Sequence, residues 1–275
     1  MRDELARKWD LLRRTLAETG GVVIAFSGGV DSTLLLKAAA DGLGQRALAV
    51  TACSDLYPTQ ETDAARRLAA DLGARHRTLE THELEDAQFV GNPPERCYFC
   101  KRELFEELLR IAREEGLPTV VEGSNADDAD DFRPGLRAGA ELGVRSPLRE
   151  VGLTKAEIRE ISRELGLPTW DKPSFACLAS RIPYGDQITA DKLRQIGGAE
   201  QVLRELGFRQ FRVRHHGPVA RIEVSPDELP KAFSPGTRPR IVEAFRALGY
   251  LYITLDLQGY RTGSMNEPLA RTADR

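Results

Sequence analysis

The stretch from Gly21 to Gly44 constrains the fold more than any other. The apolar run GVVIAF (21–26) passes directly into Ser27-Gly28-Gly29-Val30-Asp31-Ser32 and then into the helical TLLLKAAADGLG. An uninterrupted apolar strand needs cover on both faces, and a two-glycine turn feeding a helix is how a parallel α/β layer is built. The glycines let the backbone turn tightly and bring several N–H groups close to an anion, and the helix adds the positive end of its dipole. Ser27 and Ser32 offer hydroxyl donors. Asp31 repels an anion, so its expected task is to hold a Mg²⁺ ion that bridges phosphates. The loop lacks the Gly-Lys-Ser/Thr ending of Walker A and is not G-x-G-x-x-G. A ligand-free glycine turn is the plain alternative.

Strand and helix patterns alternate along the first two thirds of the chain. Helix 3–18 caps the domain; strand RALAVTAC precedes a helix from about Thr59 to Leu72, and a strand follows near Arg75–Leu79. Helix 101–115 leads to strand 119–123, and Thr154 with Glu157 forms a capping box for helix 154–165, closed by Gly166. After Tyr184 the order becomes α-β-β-α-β: helix 189–206, the runs FRVRHH and ARIEV around Gly217-Pro218, a helix near 239–248 and YLYITLDL. The expected fold class is α/β, a Rossmann-like parallel sheet with helices on both faces plus a small α+β C-terminal domain. The expected boundaries are 1–183, 184–265 and a tail at 266–275.

Composition narrows the function classes. With 275 residues, 41% of them hydrophobic and 29% charged, the chain is a folded protein. A net charge of −3 gives no general attraction to nucleic acid. The opening MRDELARKWDLLRRTLAE has no apolar leader core and no run reaches membrane-spanning length, so a cytoplasmic protein without a membrane partner is expected. In that reducing setting the four cysteines ask for a metal or thiol role. Cys53 closes an apolar strand and is expected to be a small buried hydrophobe. Trp170 is expected to pack in the core or a loop. Cys97-Tyr-Phe-Cys100 precedes a helix, and Cys177 lies 77 residues further on. Three readings stand open: a [4Fe–4S] cluster with one open iron, a dithiol or persulfide system, and zinc or plain core thiols, with His82, His215 or His216 available as a fourth zinc ligand.

SGGVDS is similar to the loop of the N-type ATP-pyrophosphatases, which cleave ATP to AMP and pyrophosphate. Glu122-Gly123-Ser124-Asn125-Ala126-Asp127-Asp128 ends a strand at the carboxyl edge of the sheet, where nucleotides bind; Gly123 is expected at the nucleotide, and the carboxylates resemble a second Mg²⁺ or substrate-positioning group, a solvated acidic loop being the alternative. The segment around Lys155 resembles one that sets a lysine near the phosphates, or is an ordinary capped helix. Adding Asp131-Phe-Arg133-Pro134-Gly135-Leu136, ASRIPYG (179–185) and TLDLQGYRTGSMNE (254–267), the chain resembles the LarE family of ATP-dependent sulfur transferases over nearly its full length.

That resemblance implies adenylation of pyridinium-3,5-dicarboxylate mononucleotide and conversion of its carboxylates to thiocarboxylates for the nickel-pincer nucleotide of lactate racemase. It implies ATP and Mg²⁺ as cofactors and a homo-oligomer, a hexamer by resemblance, and leaves the sulfur donor unknown. In one branch a cysteine surrenders its own sulfur; here Ala176 stands where that cysteine aligns, and the three-cysteine arrangement resembles the cluster-dependent branch. A basic pocket of Ser180, Arg181, Arg212 and Arg214 is expected for the anionic substrate, surface pairing of the strand arginines to Glu223 being the alternative. Glu200 and Glu223 match family glutamates at a subunit junction, whereas a further acidic position is Lys231. The rivals are a tRNA thiolase, an ammonia-using ligase and a nucleotide sensor.

Overall fold

The computed structural model describes residues 2–130, 134–261 and 263–267. The chain forms two compact units, one from the segments up to Phe89 and Pro94–Phe175, the other from Val90–Pro93 and the chain from Ala176 onward.

The first unit is built on four parallel strands, β1 (Val22–Ala25), β2 (Ala47–Cys53), β3 (Arg75–Glu80) and β4 (Thr119–Val121), in the order β3-β2-β1-β4. Val22 pairs with Ala47 on one side and Thr119 on the other. Its longer helices are α1 (Asp3–Ala17), α2 (Val30–Leu43), α3 (Thr59–Asp71), α4 (Arg96–Glu114), α5 (Pro134–Glu141) and α6 (Lys155–Glu164). Strand residues alternate between two cores, as the period of two requires. Val22, Ile24, Ala47, Ala49 and Val121 pack with α1, α2, α3 and α6, while Val23, Leu48, Val50 and Val120 pack with α4 and α5. Both faces are therefore covered, as the sequence predicts.

Successive strands step from β1 to β2 to β3 in one direction, and β4 then pairs on the other side of β1. The order reverses at β1, so the loops leaving β1 and β4 face one crevice at the carboxyl edge. The predicted capping box is present: Thr154 Oγ1 accepts the Glu157 N–H, and a Glu157 carboxylate oxygen accepts the Thr154 N–H at 2.9 Å. Lys8 of α1 donates to the same carboxylate at 2.7 Å. Burial raises the Glu157 pKa, but the Lys8 and Thr154 hydrogen bonds prevail and hold it below the usual range.

One expectation needs correction. Cys53 is exposed, because the last residue of β2 emerges beyond the covering helices at the strand's carboxyl end. Trp170 follows the loop alternative: it is 40% exposed and sits beneath the Arg163 guanidinium.

The second unit holds α7 (Ala190–Glu205), β5 (Phe211–His216), β6 (Val219–Val224), α8 (Arg238–Ala247) and β7 (Tyr252–Leu255). β5 and β6 form an antiparallel hairpin and β7 runs parallel to β6, a mixed sheet. Leu203, Phe208, Phe211, Val213, Ile222, Phe245 and Tyr250 form its core. Asn92, buried and at φ 52°, donates to the carbonyls of Ile182, Pro183 and Asp186 and accepts the Gly185 N–H, so this short upstream segment braces the loop after ASR. Among the described residues no helix is long and apolar enough to cross a membrane. Asp131, Phe132 and Arg133 of the expected family motif, and the tail beyond Glu267, lie outside the described residues.

Candidate active site

β1 delivers Phe26 and Ser27 to the carboxyl edge, and Gly28 then turns the chain at φ 65°. A side chain at Gly28 would meet the Ala65 Cβ of α3 at 3.1 Å, so glycine is required both by conformation and by close approach. Gly29 caps α2 in an extended conformation, and the first repeating helical bond is Thr33 N–H to the Gly29 carbonyl. The amides of Val30, Asp31 and Ser32 thus lie in the first turn, where the helix itself supplies no acceptor. The Ser27 and Ser32 hydroxyl oxygens stand 3.2 Å apart, and Ser32 Oγ accepts the Ser27 N–H at 3.3 Å. These hydroxyls and first-turn amides line one anion-ready loop.

Gly123 after β4 lets the neighbouring loop approach. A Cβ there would lie 3.2 Å from the Ser32 nitrogen. Beyond it, Asn125 Nδ2 donates to Asp31 Oδ1 at 3.2 Å, and the Lys155 ammonium forms a short ion pair with the other Asp31 oxygen. Asp127 accepts the Lys155 N–H at 2.8 Å, tying the start of α6 to the β4 loop. Glu122 is buried and accepts the hydroxyls of Ser124 and Ser146 at 2.8 and 2.6 Å, which makes it a brace for this loop. Ser27, Gly28, Gly29, Asp31, Ser32, Gly123 and Lys155 therefore come together in one place.

Sequence reasoning did not single out Lys172 or Glu61. Lys172 Nζ donates to the Gly28 carbonyl at 3.0 Å and to Glu61 Oε2 of α3 at 2.9 Å. The signal for them was weak, a lysine in a loop and a glutamate on a helix.

Cys97 and Cys100 occupy the first turns of α4 on one face, the first exposed and the second half-buried. Cys100 Sγ lies 3.9 Å from Glu83 Oε1. Cys177 is half-buried in the second unit, at the entry of the 3₁₀ turn Leu178–Arg181. Among the described residues no three His, Cys, Asp or Glu are grouped to hold a metal ion. His215 is buried against Tyr250 at 3.3 Å, and burial holds its pKa, like that of His216, below the usual value. Exposed His82 lies 3.8 Å from Glu85.

The second unit carries the expected arginines. Arg181 is fully buried and donates to both Glu200 oxygens at 2.8 and 3.1 Å, and to the carbonyls of Ala176 and Cys177. Arg214 forms a two-pronged pair with Glu223 at 3.0 and 2.9 Å and also donates to the Ser180 carbonyl and Ser264 Oγ. The Arg214–Glu223 pair is buried, not on the surface. Arg212 stacks on Tyr260 with its guanidinium 5.1 Å from the ring centroid. Burial, and next the charge of Arg181, push the Arg212 pKa down to about 10. Ser180 Oγ accepts from Arg181 and donates to the Cys177 carbonyl. Tyr260 and Ser264 escaped the site prediction although their segment had been singled out. Lys231 lies over the Phe208 ring at 4.7 Å.

A family model described as asparagine synthase matches residues 10–95, the part that contains the glycine loop. An uncharacterized protein of Synechocystis sp. is 44% identical over 97% of this chain and all of its own length. The pyridinium-3,5-bisthiocarboxylic acid mononucleotide synthase of Lactiplantibacillus plantarum is 39% identical over 97% of this chain and 96% of its own. An uncharacterized protein of Methanocaldococcus jannaschii is 30% identical over 88% and 91%. Identity at that level over almost the whole of both chains means that this chain belongs to the LarE family of PP-loop proteins.

Proposed function

We propose that the chain is an ATP-dependent sulfur transferase that adenylates the carboxylates of pyridinium-3,5-dicarboxylate mononucleotide and converts them to thiocarboxylates. The observation that carries this reading is the loop itself. Two serine hydroxyls stand together at the first turn of α2, whose amides the helix leaves without acceptors, and Asp31 is held there by Asn125 and Lys155. That arrangement suits a polyphosphate whose leaving pyrophosphate must be neutralised.

The donor chemistry fits both groups that the family implies. A carboxylate oxygen at a phosphate site suits Mg²⁺, which takes one or two carboxylates and fills its remaining positions with phosphate and water. Asp31 would hold it, with Lys155 beside it as a second positive charge for the phosphates, and the ion would offset charge on the leaving pyrophosphate. Thiols suit an iron–sulfur cluster. Cys97, Cys100 and Cys177 would be its ligands, and the cluster would supply reduced sulfur. The chain's own residues then have separate tasks. The loop orients the α-phosphorus toward the attacking substrate carboxylate, and Arg181 grips the carbonyls on either side of the Cys177 amide. Arg212, on the same strand as Arg214, would meet the substrate phosphate. Glu200 and Glu223 hold Arg181 and Arg214. A homo-oligomer and a cytoplasmic location belong to the same reading.

Anaerobically purified protein given ATP, Mg²⁺ and the dicarboxylate nucleotide is expected to release pyrophosphate only when the acceptor is present, and to form a product in which oxygen is replaced by sulfur on mass analysis. Pyrophosphate release with tRNA and not with the nucleotide would overturn the substrate assignment. Iron-free protein that still transfers sulfur in full would overturn the cluster. Cys100→Ala is expected to lose iron while retaining acceptor-dependent pyrophosphate release, because the thiol belongs to α4 and not to the loop. Gly123→Ala is expected to weaken ATP binding about tenfold by displacing the first turn of α2, a sensitivity typical of positioned reactants; titration of ATP against both proteins measures it.

A further inference from the structure

Lys172 has the features of a built contact. Its backbone N–H donates to the Thr169 carbonyl at 3.0 Å, and its own carbonyl accepts from Arg159 Nη2 at 2.9 Å. Arg159 Nη1 also holds the Trp170 carbonyl at 2.8 Å. The side chain projecting from this clamped turn ends on the Gly28 carbonyl and on Glu61. Glu61 lies one turn before Ala65, the residue that packs against Gly28. One helix thus both presses on the glycine and anchors the lysine that binds its carbonyl.

The consequence follows from peptide geometry. In a trans peptide the carbonyl and the N–H of the next residue point in opposite directions, and the chain contains no cis bonds among its described residues. Fixing the Gly28 carbonyl therefore fixes the direction of the Gly29 N–H, whose present acceptor, Ser27 Oγ, is distant at 3.4 Å. On the ATP reading given above, we propose that Lys172 is a positioning residue that aims the Gly29 N–H at the nucleotide phosphates by holding the Gly28 carbonyl, with Glu61 as its anchor. Lys172 acts through the loop and not as a phosphate ligand. Cys177 follows five positions later in the chain, so the turn that sets the nucleotide loop is also the start of the segment carrying that thiol.

The test uses the whole protein with ATP, Mg²⁺ and the dicarboxylate nucleotide, following ATP binding and pyrophosphate release together with the melting temperature. Lys172→Met is expected to raise KM for ATP and lower kcat, each about tenfold, the worth of one charge-assisted hydrogen bond. Glu61→Gln separates the two possible roles. If Lys172 works by holding the carbonyl, loosening its anchor weakens ATP binding several-fold. If Lys172 were a direct phosphate ligand, freeing it from a carboxylate would leave binding unchanged or tighten it, and that result overturns the proposal. Normal KM and kcat in Lys172→Met, or a lowered melting temperature with unchanged kinetics, also overturn it. Wild-type protein that neither binds ATP nor releases pyrophosphate removes the ATP reading itself, a failure distinct from normal wild-type turnover with indifferent variants.

Discussion

Asp31→Asn is expected to cut acceptor-dependent pyrophosphate release by on the order of 100- to 1000-fold while leaving ATP binding in the absence of Mg²⁺ unchanged or tighter. Asp31 is a negative charge at the mouth of an anion site, which by Coulomb's law opposes a polyphosphate. In the free protein that charge is balanced by Lys155 and by the Asn125 amide. On the proposed function its value lies in a cation brought with the nucleotide, and removing a group that stabilises leaving-group charge costs this much in other enzymes. The asparagine is nearly isosteric and keeps an oxygen for Asn125, so the loop's shape survives while the charge does not. Lys155 then has no carboxylate to hold it and is free to meet the phosphates directly, the source of the expected tighter metal-free binding. Calorimetric titration with and without Mg²⁺, beside a pyrophosphate assay, reads both effects. Equal loss of binding and turnover in the absence of Mg²⁺ would assign Asp31 to the loop's architecture and remove it from the metal.

What the sequence disclosed and what it hid separates along contact distance. The glycine loop, the Thr154–Glu157 cap and the alternation of strand residues between two cores are local patterns, each fixed by neighbours within a few positions, and each is found where the sequence puts it. Contacts across long stretches of chain left no such trace. Lys172 meets Gly28 from 144 positions away, and Asn92 reaches Ile182 across 90. Nothing in their immediate surroundings distinguishes these residues from ordinary loop polars. Cys53 misled because an apolar run predicts burial for the strand's body and is silent about where the strand leaves its cover. The arginines show the same limit from another direction. Alternation placed Arg212 and Arg214 on one strand and offered Glu223 as their surface partner, but only the fold reveals that the Arg214–Glu223 pair is buried and that Arg212 rests on Tyr260.

Arg181→Met is expected to destabilise the second unit by about 3–5 kcal/mol, the usual cost of stranding one member of a buried ion pair. Both partners are enclosed, Arg181 at 0% and Glu200 at 1% exposure, and the methionine can fill the space without supplying a charge. Among the described residues Glu200 would keep the hydrogen bond from the Val213 N–H at 3.1 Å, which cannot by itself offset a carboxylate shut away from water. Adding Glu200→Gln should recover most of the loss, since the amide oxygen still accepts the Val213 N–H and no charge remains to desolvate. That non-additivity distinguishes a stranded charge from simple loss of packing, for which the two substitutions would add. Both tryptophans lie at positions 9 and 170 in the first unit, so indole fluorescence would miss the event. Hydrogen exchange over 211–224 reports it directly, through faster exchange of β5 and β6 in Arg181→Met and near-normal protection in the double variant. The single variant should also loosen the Cys177 turn, because the same guanidinium holds the Ala176 and Cys177 carbonyls; the double variant lacks those bonds as well. Stability would then return without the turn's rigidity, and the peptide around residues 176–180 should stay fast-exchanging after 211–224 has recovered.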